Sequence, residues 1–116
     1  MMLKVFKSFS YAINGLRRSI KTELNFKIHL SAAVFVVVAG WCFDISTLEW
    51  LALVICIGSV LAAELINTAI EALVNLVSPD FNVKAGVVKD IAAAAVLVSA
   101  IMSLVVGLII FVPKIF

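Results

Sequence analysis

Charge is scarce in this sequence. Only 14% of its 116 residues are Asp, Glu, Lys or Arg, where a soluble domain carries about a quarter. With 65% of the chain hydrophobic, that scarcity excludes an ordinary soluble domain and implies a protein of the lipid bilayer. Cysteine is nearly absent too. Cys42 and Cys56 lie inside apolar runs and lack the spacing of a zinc knuckle or a redox pair, so both read as small buried hydrophobes. The five glycines, at 15, 40, 58, 86 and 107, are scattered, which excludes a P-loop, a Gly-rich phosphate loop and every soluble-kinase signature. No polar joint is long enough to be a folded domain, so one integral-membrane domain over 1–116 is expected. No small-residue cleavage site follows the basic N-terminal section, and the first apolar run is expected to stay as an anchor.

What is present is helical patterning. From Met1 to Thr22, Phe6, Phe9, Ile13, Leu16 and Ile20 recur at spacings of three and four, with Lys4, Lys7, Arg17, Arg18 and Lys21 among them. The pattern predicts an amphipathic surface helix over 1–22, lying in the headgroup layer with its cations on lipid phosphates. Asn14 and Gly15 weaken it locally. No nucleic-acid partner is expected.

Three spanning helices should follow, over 23–43, 48–77 and 90–112. The run Leu30 to Phe43 is too short alone, because about 20 residues are needed to cross about 30 Å of hydrocarbon. Extending it back through His29 and Lys27 to Glu23 supplies the length. Trp41 and Trp50 flank the joint Asp44 to Glu49, which has no Lys or Arg, as expected of an external loop. Lys4, Lys7, Arg17, Arg18, Lys21 and Lys27 place six of the nine basic residues before Leu30. The N-terminus is therefore expected in the cytoplasm and the C-terminus outside, in a multi-pass protein of a bacterial-type plasma membrane. Ser78-Pro79-Asp80 should end the second spanning helix. The third should begin with Asp90 in its first turn, where the helix dipole favours an acid. Ala95, Ser99, Ser103 and Gly107 repeat every four residues along it, a ridge that lets another helix approach closely. The fold class is all-α integral membrane.

The polar residues within these runs carry the chemistry. Glu64, Asn67 and Glu71 stand at i, i+3 and i+7, with Asn75 at i+11, so they share one helix face. A carboxylate at bilayer depth costs at least about 2.5 kcal/mol, and two on one stripe call for a metal, a substrate or an ion path. Laid side by side, the helices put Glu23, Glu64, Glu71, Lys89 and Asp90 in one slab at the cytoplasmic surface. Four acids there would repel one another unless a cation joined them, and their oxygen ligands suit Mg²⁺. A lysine can neutralise a phosphoryl oxygen, and a carboxylate near lipid depth can take a proton from an alcohol whose tail stays in the bilayer. The chemistry permitted is phosphoryl transfer to a lipid hydroxyl. Two other classes fit the composition. An ion or proton conduit would need the polar stripe to continue, yet Leu51 to Ala63 offers only Cys56 and Ser59. A non-catalytic bundle would need only the apolar faces.

Glu64-Leu-Ile-Asn67-Thr-Ala-Ile-Glu71, followed by Lys89-Asp90-Ile-Ala-Ala-Ala-Ala-Val-Leu97, resembles the small bacterial membrane kinases that include diacylglycerol kinase and undecaprenol kinase. The resemblance runs from Phe6 to Ile115. It implies a surface helix, three spanning helices, a homotrimer with active sites shared between subunits, and transfer of the γ-phosphate of MgATP to a lipid alcohol. By position it implies that Glu64 is the general base and that Asn67 supports it. Glu23 and Glu71 match ligands of the metal that accompanies ATP. Lys89 matches the lysine on the phosphates, and Asp90 its partner. Asp80 and Asn82 fall where the loop meets the adenine, and Asn14, Gly15 and Arg17 in the section that closes over the nucleotide. Relatives usually carry aspartate at the position of Asn75, where it organises the lysine matching Lys89; asparagine keeps the size and loses the charge, so a weakened relative is a further alternative. Glu23-x-Asn25-Phe26-x-x-His29 and the ending Gly-Leu-Ile-Ile-Phe-Val-Pro-Lys resemble the undecaprenol kinase branch, which favours undecaprenol as acceptor with diacylglycerol next.

Overall fold

The computed structural model describes residues 1–116 as four helices: α1 (Met2–Thr22), α2 (Leu24–Cys42), α3 (Thr47–Val77) and α4 (Val83–Ile115). The last three are long and apolar enough to cross a membrane. Helices α3 and α4 form the most extensive packing pair, with α2 leaning on α3 and α1 on the start of α2. Only 12 of 116 residues are buried, so the helices are not wrapped around a core of their own. Leu51, Val54, Ile55, Leu97, Val98 and Leu104 face outward, as they do when hydrocarbon is the solvent.

Glu23 alone separates α1 from α2. Its backbone is extended (φ −100°, ψ 109°), closing α1 through an N–H donated to the Ser19 carbonyl and opening α2. This corner turns the chain from α1 into α2 and fixes the Glu23 carboxylate at their junction. Phe26, 1% exposed, anchors the first turn of α2 beyond it.

At the opposite end of the molecule the chain reverses through Phe43 to Ser46. Asp44 takes a left-handed conformation with φ 50°, which short polar side chains tolerate better than most. Ser46 and Glu49 form a reciprocal capping box: the Glu49 N–H donates to Ser46 Oγ at 3.2 Å and the Ser46 N–H to Glu49 Oε1 at 2.9 Å. Glu49 Oε2 also meets Lys114 Nζ at 3.2 Å, tying α3 to α4. Ile45, Leu53 and Ile110 pack beneath this turn. Trp50 lies so close to Gly40 that an added Cβ would stand 2.7 Å from its Cη2 atom. The Trp41 and Trp50 rings are 6.3 Å apart and those of Phe43 and Phe111 5.8 Å.

Helix α4 is longer than the span 90–112. Asn82 caps it, its Oδ1 accepting from the N–H groups of Lys84 at 2.9 Å and Ala85 at 3.3 Å, so it starts at Val83 and Asp90 is two turns inside. The expectation of Asp90 in the first turn is corrected: a strong Asn cap outranks the weaker dipole preference. Nor does the helix stop before Pro113, which lies in its last turn and removes a single N–H donor there. The ridge Ala95, Ser99, Ser103, Gly107 meets α3 only in part, through Ser103. Ala92, Val96 and Ile110 are the buried residues of α4, whereas Ala95 is exposed and a Cβ at Gly107 would meet nothing within 4 Å. Ser103 Oγ donates to the Ser99 carbonyl at 2.9 Å and lies 3.4 Å from that of Cys56. Cys56 is buried as expected, but Cys42 is exposed.

Candidate active site

The buried face of α3 is one line of residues: Leu53, Cys56, Val60, Glu64 and Asn67. Steps of three and four keep them on one side of the helix. The face that packs with apolar residues near Trp50 thus continues as a carboxylate and an amide, with Glu64 3% and Asn67 5% exposed. His29, Glu71 and Glu23 are the chargeable groups near enough to act on Glu64. Asn67 Nδ2 donates to Glu71 Oε1 at 3.3 Å, while Asn67 Oδ1 is buried without a partner. A carbonyl left so costs about 1–3 kcal/mol.

Beside this face lies an open groove of about 710 Å³ between α1 and α3. Ala12, Gly15, Leu16, Arg18, Ser19 and Glu23 form one wall, and Leu65, Thr68, Ala69, Glu71, Ala72 and Asn75 the other. Glu71 and Asn75 therefore belong both to the stripe that carries Glu64 and to the groove. From Glu64 to Asn75 the stripe climbs about 16 Å at 1.5 Å per residue. Lys89 reaches it from α4, its Nζ donating to Asn75 Oδ1 at 2.6 Å.

Glu23, Glu71, Asn75 and Gly15 are thus brought together, with Glu64 and Asn67 buried alongside and Lys89 held at Asn75. Arg17 does not line the groove; Arg18 does. One residue is 100° of turn, and the small residues Ala12, Gly15 and Ser19, which mark the groove wall, select Arg18. That spacing was visible in the sequence. Asp90 and Asp80 are exposed. Asn82 sits in the same connection as the cap of α4.

No three His, Cys, Asp or Glu side chains gather as a metal cluster, so the expected joining of three glutamates and an aspartate by one cation is not assembled within a single chain. Glu64 is turned into the packed face and Asp90 is exposed on α4. Two carboxylates, Glu23 and Glu71, do share the groove. That number suits Mg²⁺, which is commonly held by one or two carboxylates and completes its shell with phosphate oxygens and water.

A second, apolar groove of about 530 Å³ runs between α2, α3 and α4, from His29 at one end to Phe43, Phe111 and Ile115 at the other. His29 lines this groove and is near enough to Glu64 to act on it.

Comparison with known proteins places the chain in a family. Residues 10–111 match the prokaryotic diacylglycerol kinase family. The chain is 40% identical over 111 residues to the undecaprenol kinase of Bacillus subtilis, covering 96% of this chain and 90% of that protein. It is 36% identical over 101 residues to the diacylglycerol kinase of Synechocystis sp., covering 86% of this chain and 58% of that protein. With the diacylglycerol kinase of Escherichia coli K12 it shares 28% identity over 102 residues, 88% of this chain and 84% of that protein. Three long apolar helices and these likenesses define a multi-pass membrane enzyme, a phosphotransferase with an alcohol acceptor. The chain belongs to the prokaryotic diacylglycerol kinase family.

Proposed function

We propose that residues 1–116 form one membrane-embedded kinase domain, which transfers the γ-phosphate of MgATP to the hydroxyl of a membrane lipid alcohol at the cytoplasmic membrane surface. Undecaprenol is the favoured acceptor and diacylglycerol the next. The observation that carries the reading is the placement of Glu64, a buried carboxylate on the packed face of a spanning helix, beside a groove that holds Glu23 and Glu71. The higher identity to the Bacillus subtilis undecaprenol kinase, over nearly all of both chains, supports the choice of acceptor.

Glu64 takes the proton of the lipid hydroxyl, which reaches it from the bilayer side while the hydrocarbon tail stays in lipid. Asn67 supports that site from the next turn. Glu23 and Glu71 hold the divalent cation, which when bound neutralises phosphate charge. Lys89, aimed by Asn75, lies on the phosphates with Asp90 as its partner. Asp80 and Asn82 approach the adenine, and α1 closes over the nucleotide through Gly15 and, in place of the expected Arg17, Arg18. With the acceptor oxygen beside Glu64 and the phosphates along the Glu71 to Asn75 stripe, catalysis is positioning and charge neutralisation.

Helix α1 rests as an amphipathic helix in the headgroup layer, with the N-terminus cytoplasmic and the C-terminus external. The run of cations before Leu30 and the absence of Lys and Arg from Asp44 to Glu49 support this orientation. A homotrimer with shared sites is the assembly. The exposed Ala95, the open space beside Gly107 and the small fraction of buried residues support it.

The test is purified protein in bilayer discs with MgATP and either undecaprenol or diacylglycerol. Phosphorylated lipid is expected from at least one, faster from undecaprenol. Folded protein that phosphorylates neither rejects the reading.

A further inference from the structure

The two ends of the Asn67 amide have different fates. Nδ2 donates to Glu71 Oε1 at 3.3 Å, and Oδ1 has no partner although the residue is 5% exposed. Chemistry fixes which end is which. An ionised carboxylate only accepts, so the inverted amide would set two acceptors against each other and bury an unpaired donor instead. Leucine would fill the same space with no polar atom to satisfy. The helix keeps a bare acceptor on its most protected face, one turn from Glu64.

We infer that Asn67 Oδ1 is the docking point for the hydroxyl of the lipid acceptor; the inference rests on the lipid-kinase reading. The missing partner must be a donor. Glu64 and Glu71 are acceptors when ionised, nucleotide phosphates are acceptors, and Lys89 donates to Asn75. An alcohol supplies a neutral O–H donor and arrives through hydrocarbon without stripping water from a charge. On docking, the hydroxyl donates to Asn67 Oδ1 with its oxygen next to Glu64. In the transfer the hydroxyl hydrogen swings from Asn67 Oδ1 to the adjacent Glu64 carboxylate, the O–H bond breaks and the proton passes to Glu64. The alcohol oxygen bonds to the γ-phosphorus as the bond from that phosphorus to the bridging oxygen of ADP breaks. The product then turns only phosphate oxygens toward Asn67 Oδ1. An acceptor that admits the alcohol therefore disfavours the phosphorylated lipid and promotes its release.

The test is equilibrium binding in bilayer discs without nucleotide, so that turnover plays no part. The probes are 1,2-dioctanoylglycerol and a short polyprenol, each paired with the analogue in which CH3 replaces CH2OH. The unaltered protein is expected to prefer one alcohol over its deoxy analogue by about tenfold, the size of one buried hydrogen bond. Asn67→Leu should reduce the preference below about twofold. Asn67→Asp, which keeps an acceptor and loses the bond to Glu71, should retain most of it, and so should Glu64→Leu. Helix content by circular dichroism checks each fold, and Asn67→Ala replaces the leucine variant if that one does not fold. Full hydroxyl preference in Asn67→Leu or Asn67→Ala, loss of it in Glu64→Leu alone, or no preference in the unaltered protein overturns the inference. Failure of the kinase reading shows separately, as absence of phosphorylated lipid with MgATP.

Discussion

The two ends of α3 treat polar groups in opposite ways. Near Trp50 no buried polar group is left without a partner: Ser46 and Glu49 cap each other, Glu49 also meets Lys114, and Leu53 packs with Ile45 and Ile110. Fourteen residues beyond Leu53 the same buried line ends in Asn67, with an acceptor that has no partner. The charged groups at that end are left over as well. Lys114 to Glu49 is the one salt bridge of the chain, so Glu23, Glu64, Glu71, Lys89 and Asp90 have none within it. One end is closed for stability; the other is left unsatisfied, as a site that waits for ligands should be.

Substitutions can sharpen or break this contrast. Glu64→Gln is expected to lower turnover by about 10³-fold, within the 10²–10⁴ range of general-base catalysis, while binding of a non-hydrolysable nucleotide persists; rapid turnover of this variant would remove Glu64 from the chemistry. At the closed end, Leu53→Ala should cost about 2–4 kcal/mol through the cavity it leaves, measured by thermal unfolding in detergent. Gly40→Ala should cost about 1–3 kcal/mol by overpacking, since its Cβ would press on the Trp50 ring. Asn67→Leu should move the other way, stabilising by about 1 kcal/mol as an unpaired carbonyl disappears, and abolish efficient turnover. If it destabilises as Leu53→Ala does, the two ends do not differ in the manner described. The smallest effect belongs to Lys114→Ala, whose single, partly solvated ion pair with Glu49 should shift the melting temperature only slightly.

Much of the site was legible along the chain because helical periodicity is local. Glu64, Asn67 and Glu71 share a face by counting alone, and α3 ends at Val77 just before Ser78-Pro79. Other features escaped for nameable reasons. The start of α4 was set by the Asn82 cap rather than by the acid at Asp90, since capping bonds depend on backbone geometry that periodicity does not report. Arg18 rather than Arg17 lines the groove because the facing of α1 toward α3 is a tertiary fact, although the small residues beside it carried the hint.

Composition and spacing by themselves determined that the chain is helical, that three of its helices suit a bilayer, and that one of them carries carboxylates in register. These follow from hydrophobicity and a 100° turn, which need no partner. Only the tertiary structure decided that Glu64 and Asn67 continue the packed face of α3, that Glu23 joins Glu71 across a groove, and that Asn75 holds Lys89. Those relations depend on how separate helices meet, and the angle at Glu23 and the seam between α3 and α4 are set by contacts distant in sequence.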